Sequence, residues 1–253
     1  MATLSRDGTT LYYEDHGEGP AILLTHGFSA TSQMWRPQIP ALTAKYRVVT
    51  WDMRGHGYTG SPEDPSAYSE AATTADMAAL LDHLGIETAV IGGLSLGGYM
   101  SLAFYADYVA RCEALLIIDT GPGFKRDEAR EGWNRTALAT AAAIDADGAG
   151  ALAGGSAERA SAHHESYAGL ARAARGMLTQ QNARVITSLP DIAVPSLVLV
   201  GADDAPFLAA TDYMAAKIPA AHKVVIPNAG HAANLDQPEA FNEAVLSFLA
   251  STN

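Results

Sequence analysis

Residues 89–97 read Ala-Val-Ile-Gly-Gly-Leu-Ser-Leu-Gly, and no other stretch says more about the architecture. The apolar, β-branched beginning predicts a buried strand over Ala89–Gly92, and a helix is predicted over Gly97–Ala106. Between them, Gly93–Gly97 has the spacing G-x-S-x-G. A serine on a strained strand-to-helix turn exposes its hydroxyl, and glycines two positions away on each side avoid collisions with the backbone. We therefore predict that Ser95 is a nucleophile.

Short apolar runs alternate with helical stretches through most of the chain. This order is typical of a mostly parallel central sheet flanked by helices, the α/β class. Thr9–Glu14 is more polar and is expected to be an antiparallel edge strand. Besides the elements around Ser95, the predicted strands are Ala21–Thr25, Arg47–Trp51, Ala114–Ile118, Ser196–Val200 and Lys223–Ile226, and the predicted helices are Ser69–Leu84, Ala205–Ile218 and Pro238–Leu249.

The alternation stops once, between Gly121 and about Pro190, where no strand is predicted. This alanine-rich segment is expected to form a small helical cap over one end of the sheet. Residues 1–121 and 191–253 would then form the two parts of the core, and residues 122–190 the cap. Helices that simply cover a sheet face are the alternative. The predicted helices are Asp127–Ala146, Ala157–Arg175 and Leu178–Ser188, around a loose stretch at Gly148–Gly155.

A loop that could stabilise an oxyanion follows the strand Ala21–Thr25. It reads His26-Gly27-Phe28 and lies at the carboxyl edge of the predicted sheet, where open α/β sheets bind their ligands. The backbone N–H groups of Phe28 and Leu96 are predicted to form the oxyanion hole. His26 is expected to support the loop by hydrogen bonding.

His231 is the predicted general base, because it follows the last strand at the same edge of the sheet. His163 and His164 are expected at the cap surface or in its packing, and His16, His56, His83 and His222 have no comparable position. The sequence alone leaves three candidates for the acid that orients His231. Asp203 and Asp204 follow one strand and Asp119 follows another. The order Ser95, Asp204, His231 along the chain is that of nucleophile, acid and base in this architecture.

These motifs resemble those of the α/β-hydrolase superfamily over nearly the whole chain apart from the cap. Asp52–Gly60 is similar to the family's D-x-R-G-x-G-x-S loop, with Thr59 where serine is usual, and the resemblance implies structural roles for Asp52 and Arg54. We choose Asp204, then Asp119, then Asp203, and the similarity of Gly201–Asp204 to the family's G-x-x-D segment is the reason that Asp204 ranks above Asp203. Members with the acid at the Asp119 position keep that residue as an alternative. A serine nucleophile departs from the dehalogenase and epoxide-hydrolase branches, which carry aspartate there.

The resemblance is to small esterases, enol-lactonases and carbon–carbon bond hydrolases. It implies a serine hydrolase that cleaves an ester or lactone of a small to medium hydrophobic substrate through an acyl-enzyme. No metal or organic cofactor is expected. The alternatives are a carbon–carbon bond hydrolase or perhydrolase with the same triad, and a ligand receptor on a hydrolase scaffold. A non-catalytic structural protein is disfavoured.

Composition and charge indicate which partners and which cellular location to expect. The chain is 48% apolar and 17% charged, with a net charge of −12, which suits a soluble protein with a large core. It has no basic run, so no nucleic-acid partner is expected, and no apolar run approaches a membrane span. Its single cysteine, Cys112, is expected to be a packed thiol. No signal peptide is expected at the amino terminus, and we predict a cytoplasmic protein. The oligomeric state stays open.

Overall fold

Eight strands form one sheet at the centre of the structure, a computed structural model that describes residues 2–160 and 162–252. The sheet order is β1-β2-β4-β3-β5-β6-β7-β8. The pairs from β4 to β8 in this order are parallel, whereas β1 pairs with β2, and β2 with β4, in antiparallel fashion. The strands are β1 Ala2–Arg6, β2 Thr9–His16, β3 Ala21–Thr25, β4 Arg47–Trp51, β5 Ala89–Leu94, β6 Cys112–Ile118, β7 Ser196–Gly201 and β8 Ala221–Ile226. The predicted mostly parallel sheet is confirmed.

Ten α-helices in the described residues connect and cover these strands. None of them is both long enough and apolar enough to cross a bilayer. They are α1 Ile39–Leu42, α2 Glu70–His83, α3 Leu96–Asp107, α4 Asp127–Asp147, α5 Ala157–Ala160, α6 Tyr167–Ala173, α7 Arg184–Ser188, α8 Ala205–Lys217, α9 Ala233–Asp236 and α10 Pro238–Ser251.

Two hydrophobic clusters lie on opposite faces of the sheet, because successive side chains of a strand point to opposite faces. In β3, Leu23 belongs to the cluster with α2 and α3, whereas Ile22 and Leu24 belong to the cluster with α1 and α10. Both faces of the central strands are therefore covered, as their continuous apolar runs predicted.

Cys112 is buried and free, and burial raises the pKa of its thiol to about 12.

The two ends of the sheet differ from the sequence prediction. Thr9–Glu14 was predicted at an edge, which is wrong: β2 lies between β4 and an unpredicted edge strand, β1. The turn between β1 and β2 is Asp7-Gly8, with both φ angles positive at 48° and 72°. An Asp-Gly pair is a strong hairpin signal that could have revealed β1. At the other edge β8 is largely exposed, including Val225 at 40%.

Residues 122–190 lie between β6 and β7 and are called here the helical insertion. Its first helix was predicted nearly to its ends, but the other two are shorter than predicted. The predicted helix over residues 157–175 includes Ser161, which lies outside the described residues. Beyond it, α6 starts only at Tyr167, because the Ser166 hydroxyl accepts a hydrogen bond from the Gly169 N–H at 3.0 Å. The predicted helix over 178–188 is α-helical only at α7.

Candidate active site

Ser95 occupies the turn between β5 and α3 and has φ 56° and ψ −117°, a strained conformation for a non-glycine residue. Its N–H donates to the Ile118 carbonyl at 2.9 Å, and its own carbonyl accepts from the Thr120 hydroxyl at 2.6 Å. A Cβ atom at Gly97 would overlap the Thr25 carbonyl, and one at Gly93 would overlap the backbone of Gly97. The two glycines are therefore required for the close packing that holds the serine in place.

The loop His26–Phe28 lies directly beside the serine. A Cβ atom added to Gly27 would be 3.4 Å from the Ser95 Cβ. Ser29 has a positive φ of 58°, and the Ala30 N–H closes a turn onto the Gly27 carbonyl at 3.1 Å. In the described part of the chain, the Phe28 N–H makes no backbone hydrogen bond outside the regular elements. This N–H is therefore available to a ligand beside Ser95.

Three histidines pack together behind this loop. The rings of His26 and His56 are 4.8 Å apart, and those of His56 and His164 are 5.8 Å apart. Burial lowers the pKa of His26 to about 3, lowers that of His56 well below its ordinary value, and also lowers that of His164. All three imidazoles are therefore neutral at pH 7, so each can accept one hydrogen bond and donate another.

The partners of these histidines fix their tautomers. His26 Nε2 accepts from the Met53 N–H at 2.9 Å, so Nδ1 carries the proton and donates to the Gly27 carbonyl at 2.7 Å. This agrees with the predicted supporting role of His26. His164 was predicted at the cap surface or in its packing. It is buried and spans two elements of the core: Nδ1 accepts from the Gly57 N–H and Nε2 donates to the Ser29 carbonyl, both at 3.1 Å.

Asp52 and Arg54 brace the loop that follows β4. The Asp52 carboxylate accepts from the Ser32 N–H at 2.7 Å and the Tyr58 N–H at 3.0 Å. Arg54 donates two hydrogen bonds to Asp76, at 2.7 and 2.8 Å. Neither residue lines the cavity beside Ser95. Their geometry is that of a structural support.

His231 pairs with Asp204, and the distance from Nδ1 to Oδ2 is 2.8 Å. Asp204 is buried, whereas the neighbouring Asp203 is exposed. The two loops are fastened to each other, since the Asp203 N–H donates to the Ala229 carbonyl at 2.9 Å. When Nδ1–H of a neutral His231 donates this hydrogen bond to Asp204, Nε2 carries no proton and can act as an acceptor.

The surroundings of His231 favour its protonated form. Burial lowers its pKa, but the hydrogen bond and charge of Asp204, with the charges of Asp119 and Glu158, outweigh burial, so the pKa is raised. The ring of Phe207 stacks on the imidazole at 5.0 Å. Among the described hydrogen bonds none joins Ser95 to His231, and such bonds commonly tighten only when substrate binds.

Asp119, the alternative acid, lies at the end of β6 with a positive φ of 44°. Its Oδ1 accepts from the Gly201 N–H at 2.8 Å, and within the described residues its buried Oδ2 has no hydrogen-bond partner. Burial raises the pKa of this carboxyl to about 8, against the opposing effect of the Gly201 hydrogen bond. The hydrogen bond of the His231 ring goes to Asp204, and none to Asp119 is found among the described residues, so the geometry favours Asp204.

Ser95 and Leu96 form part of the wall of a cavity of about 220 Å³. Much of the remaining lining comes from the helical insertion, through residues such as Trp133, Met177 and Gln180. Most of the lining is apolar and no lining side chain is charged. Among residues 2–160 and 162–252 there is no cluster of His, Cys, Asp and Glu suited to holding a metal ion. The cavity therefore suits a small apolar ligand next to the Ser95 hydroxyl.

The fold and these motifs define a class of protein, and comparison with known sequences gives the same class. The chain belongs to the alpha/beta hydrolase family, whose model matches residues 22–244. The chain is similar to 3-oxoadipate enol-lactonase 1 of Acinetobacter baylyi, with 29% identity over 98% of this chain and 96% of that protein.

Two solved structures are similar over nearly their whole length. One is a thermophilic esterase from Thermogutta terrifontis, with 31% identity, a TM-score of 0.82, and coverage of 99% of this chain and 97% of that one. The other is the enol-lactonase from Burkholderia xenovorans LB400, with 27% identity, a TM-score of 0.80, and coverage of 98% and 100%. The predicted membership of the superfamily and the predicted enzyme class, a hydrolase, are confirmed.

Sequence reasoning missed two residues near the cavity. His164 fastens the helical insertion to the loop beside Ser95, and Gln180 lines the cavity itself. Neither residue lies in a motif, and the partners of His164 are 107 and 135 residues away. The local signal for His164 was weak: it is one of a pair of histidines that shortly precede Ser166, the serine that caps α6. No local signal indicated Gln180.

Proposed function

We propose that this protein hydrolyses carboxylic esters or lactones of small to medium apolar substrates through an acyl-enzyme on Ser95. The observation that carries the proposal is the position of Ser95. It stands on a strained turn in the wall of an apolar cavity, and a hydrogen-bonded His231–Asp204 pair lies at the same edge of the sheet. The similarity to an enol-lactonase and an esterase supports this bond type.

In the proposed reaction, His231 Nε2 removes the proton from the Ser95 hydroxyl as the oxygen attacks the substrate carbonyl. The negative charge that develops on the carbonyl oxygen is stabilised by the N–H groups of Phe28 and Leu96. Each such donor contributes about 3 kcal/mol to lowering the barrier. His231 then gives its proton to the leaving alkoxide. A water molecule, activated in the same way, releases the acid and restores the serine.

We also propose that the helical insertion acts as a cap. It supplies Trp133, Met177 and Gln180 to the cavity wall. Several of its side chains, including Leu170 and Ile186, belong to the same hydrophobic cluster as the sheet. The insertion therefore both closes the cavity and packs on the core.

A fluorophosphonate probe tests the nucleophile. We expect covalent labelling of one site in the wild-type protein, found by peptide mass spectrometry at Ser95, and loss of labelling and of esterase activity in Ser95→Ala. Ser101→Ala is the matched control, because Ser101 is a buried serine of α3, the helix that follows Ser95, and its hydroxyl donates to the Gly97 carbonyl. Full activity in Ser95→Ala would end the proposal.

A substrate panel separates the proposed activity from its alternatives. Nitrophenyl esters of increasing chain length, lactones of increasing ring size and vinylogous diketones should be compared by kcat/KM. We expect turnover of esters or lactones. Turnover of the diketones alone would indicate a carbon–carbon bond hydrolase. Stabilisation by ligands without any turnover would indicate a receptor.

A further inference from the structure

Gln180 has a polar side chain on the cavity wall, and the proposed reaction does not use it. Its Oε1 is buried and, within the described part of the chain, accepts no hydrogen bond. Other polar side chains of the wall are already occupied. The Tyr99 hydroxyl donates to Glu70 at 2.6 Å, the Thr120 hydroxyl to the Ser95 carbonyl at 2.6 Å and the Trp133 Nε1–H to the Leu178 carbonyl at 2.7 Å.

The backbone of Gln180 is held in position by a reciprocal pair of hydrogen bonds. The Gln180 N–H donates to Asn134 Oδ1, and Asn134 Nδ2 donates to the Gln180 carbonyl, both at 2.8 Å. Asn134 belongs to α4, the longest helix of the insertion. The carboxamide therefore projects from a fixed backbone, which makes it suited to selecting among ligands.

Gly123 leaves room for this carboxamide. It has a φ of 88°, and a Cβ atom at this position would be 2.7 Å from Gln180 Oε1. A buried acceptor without a partner is unfavourable, so a native structure that keeps one calls for an explanation. Oε1 has almost no accessible surface in this structure, so a ligand reaches it only after the carboxamide rotates toward the cavity, and a hydrogen bond from the ligand then satisfies it.

We propose that Gln180 determines specificity by binding a neutral hydroxyl or amide group of the substrate, away from the scissile carbonyl. The inference deepens the proposed function and rests on it. A hydroxyl both donates to the carboxamide oxygen and accepts from its nitrogen. A free carboxylate is disfavoured, because no charged side chain lines the cavity and burying an unpaired charge is costly.

The test compares nitrophenyl esters that differ only in one hydroxyl. The hydroxylated substrates are 3-hydroxyhexanoate, 6-hydroxyhexanoate and 8-hydroxyoctanoate, each measured against the unsubstituted hexanoate or octanoate, and the adipate monoester supplies a carboxylate. For the wild-type enzyme, we expect at least one hydroxy ester to exceed its parent about tenfold in kcat/KM, a ratio typical of one hydrogen bond. The adipate monoester should be the poorest substrate.

The Gln180→Met variant keeps the length of the side chain and removes both hydrogen-bonding atoms. We expect the ratio of hydroxy ester to parent to fall to about one. Gln181→Met is the matched control, because this neighbouring glutamine is exposed, and it should keep the wild-type ratio. If Gln180→Met does not fold, Gln180→Glu serves in its place, and its charge should reverse the preference in favour of a 6-aminohexanoate ester.

Binding to the Ser95→Ala protein gives a second readout that needs no turnover. The preferred hydroxy ester should bind about tenfold more tightly than its parent in a thermal-shift titration. The inference is overturned if no hydroxy ester is preferred in either measurement, or if Gln180→Met keeps the preference. Absence of any ester turnover or probe labelling would contradict the proposed function instead, and the binding comparison would still decide the role of Gln180.

Discussion

Asp204 precedes the first residue of α8, yet its carboxylate makes no capping hydrogen bond to that helix. An aspartate at this position ordinarily accepts from the first N–H groups of the helix. Here the carboxylate binds His231 instead. The chain therefore gives up a stabilising cap in order to orient an imidazole.

Replacing Asp204 by asparagine tests this reading. We expect kcat to fall about 10³- to 10⁴-fold in Asp204→Asn, because the amide no longer stabilises an imidazolium or fixes the required tautomer. Asp203→Asn, at the exposed neighbour, should retain wild-type activity. Since the pKa of His231 is raised, activity in the wild type should fall as the pH drops through a value above 6.5, and any residual activity of Asp204→Asn should fall at a lower pH. Equal activity in the two variants would contradict the assignment.

Asp119→Asn is expected to change stability more than activity. Asparagine keeps an acceptor for the Gly201 N–H, so kcat should stay within about tenfold of wild type. The folded-state pKa is about 8 and is raised by burial, so unfolding releases a proton between pH 4 and pH 8. The contribution of Asp119 to the free energy of unfolding of the wild type is therefore lost as the pH rises, by up to about 1.4 kcal/mol for each pH unit.

Urea unfolding of both proteins across this pH range measures the effect. The free energy of unfolding of Asp119→Asn, relative to wild type, should increase as the pH rises from 4 to 8. A constant difference would show that Asp119 is ionised in the folded protein. A loss of kcat as large as that of Asp204→Asn would make Asp119 the orienting acid.

Where a motif and a strand end coincide, the sequence predicts at which edge of the sheet a residue lies. Ser95, Phe28, Asp204 and His231 all follow parallel strands at one edge, and their joint role in catalysis stays a prediction. Gln180 follows no strand, and its position depends on a side chain of α4. Such a tertiary contact leaves no periodic trace in the sequence.

Among the elements, the helical insertion is joined to the core by hydrophobic packing and by hydrogen bonds, and one side chain bonds to two core loops at once. His164 bonds to Gly57 and to Ser29, the residue after Phe28. A second link runs from the Glu165 N–H to the Gly57 carbonyl at 3.2 Å. The loop beside Ser95 is thus held from the insertion side.

We expect His164→Ala to destabilise the protein by about 2–4 kcal/mol, because it leaves a buried N–H and a buried carbonyl without partners and opens a cavity. It should also lower kcat/KM and speed proteolysis within the insertion. His163→Ala is the control, since His163 is exposed, and should change stability by less than about 0.5 kcal/mol. Equal changes of stability in the two variants would mean that the His164 hydrogen bonds do not stabilise the protein.

The elements of the sheet were easier to predict than those of the insertion. A strand buried on both faces reads as a continuous apolar run, as in β3. The edge strand β1 is only half covered and was not predicted, whereas β8 was predicted from Lys223 onward, without its first two residues. In the insertion, alanine favours helix at most positions. Even so, α6 begins only after Ser166, whose hydroxyl caps it, and the backbone of Gln180 bonds to the Asn134 side chain outside any helix.

On the scale of the whole molecule, three buried neutral histidines couple stability to acid. The unfolded chain takes up protons on these side chains below pH 6.5, whereas the folded pKa values are lowered, that of His26 to about 3. The folded state therefore binds fewer protons, and stability falls as the pH drops below 6.5. His26 alone accounts for about 2 kcal/mol at pH 5.

Unfolding free energies between pH 7 and pH 4 check this expectation. His56→Phe, which replaces one buried ring by another that takes up no proton, should reduce the slope against pH by about one proton. His222→Ala, at an exposed histidine, should leave the slope unchanged. Parallel slopes for wild type and His56→Phe would contradict neutral burial of His56.

The cavity draws part of its lining from the turn at Ser95 and much of the rest from residues 122–190. These two parts obey different constraints. At the serine turn even one extra methyl group has no space, whereas Trp133, Met177 and Gln180 line the cavity without a part in the proposed bond cleavage. Evolution can therefore change the substrate by substitutions in the lining from residues 122–190 while the turn at Ser95 stays the same. For altered selectivity by design, Trp133, Met177 and Gln180 are the first positions to randomise.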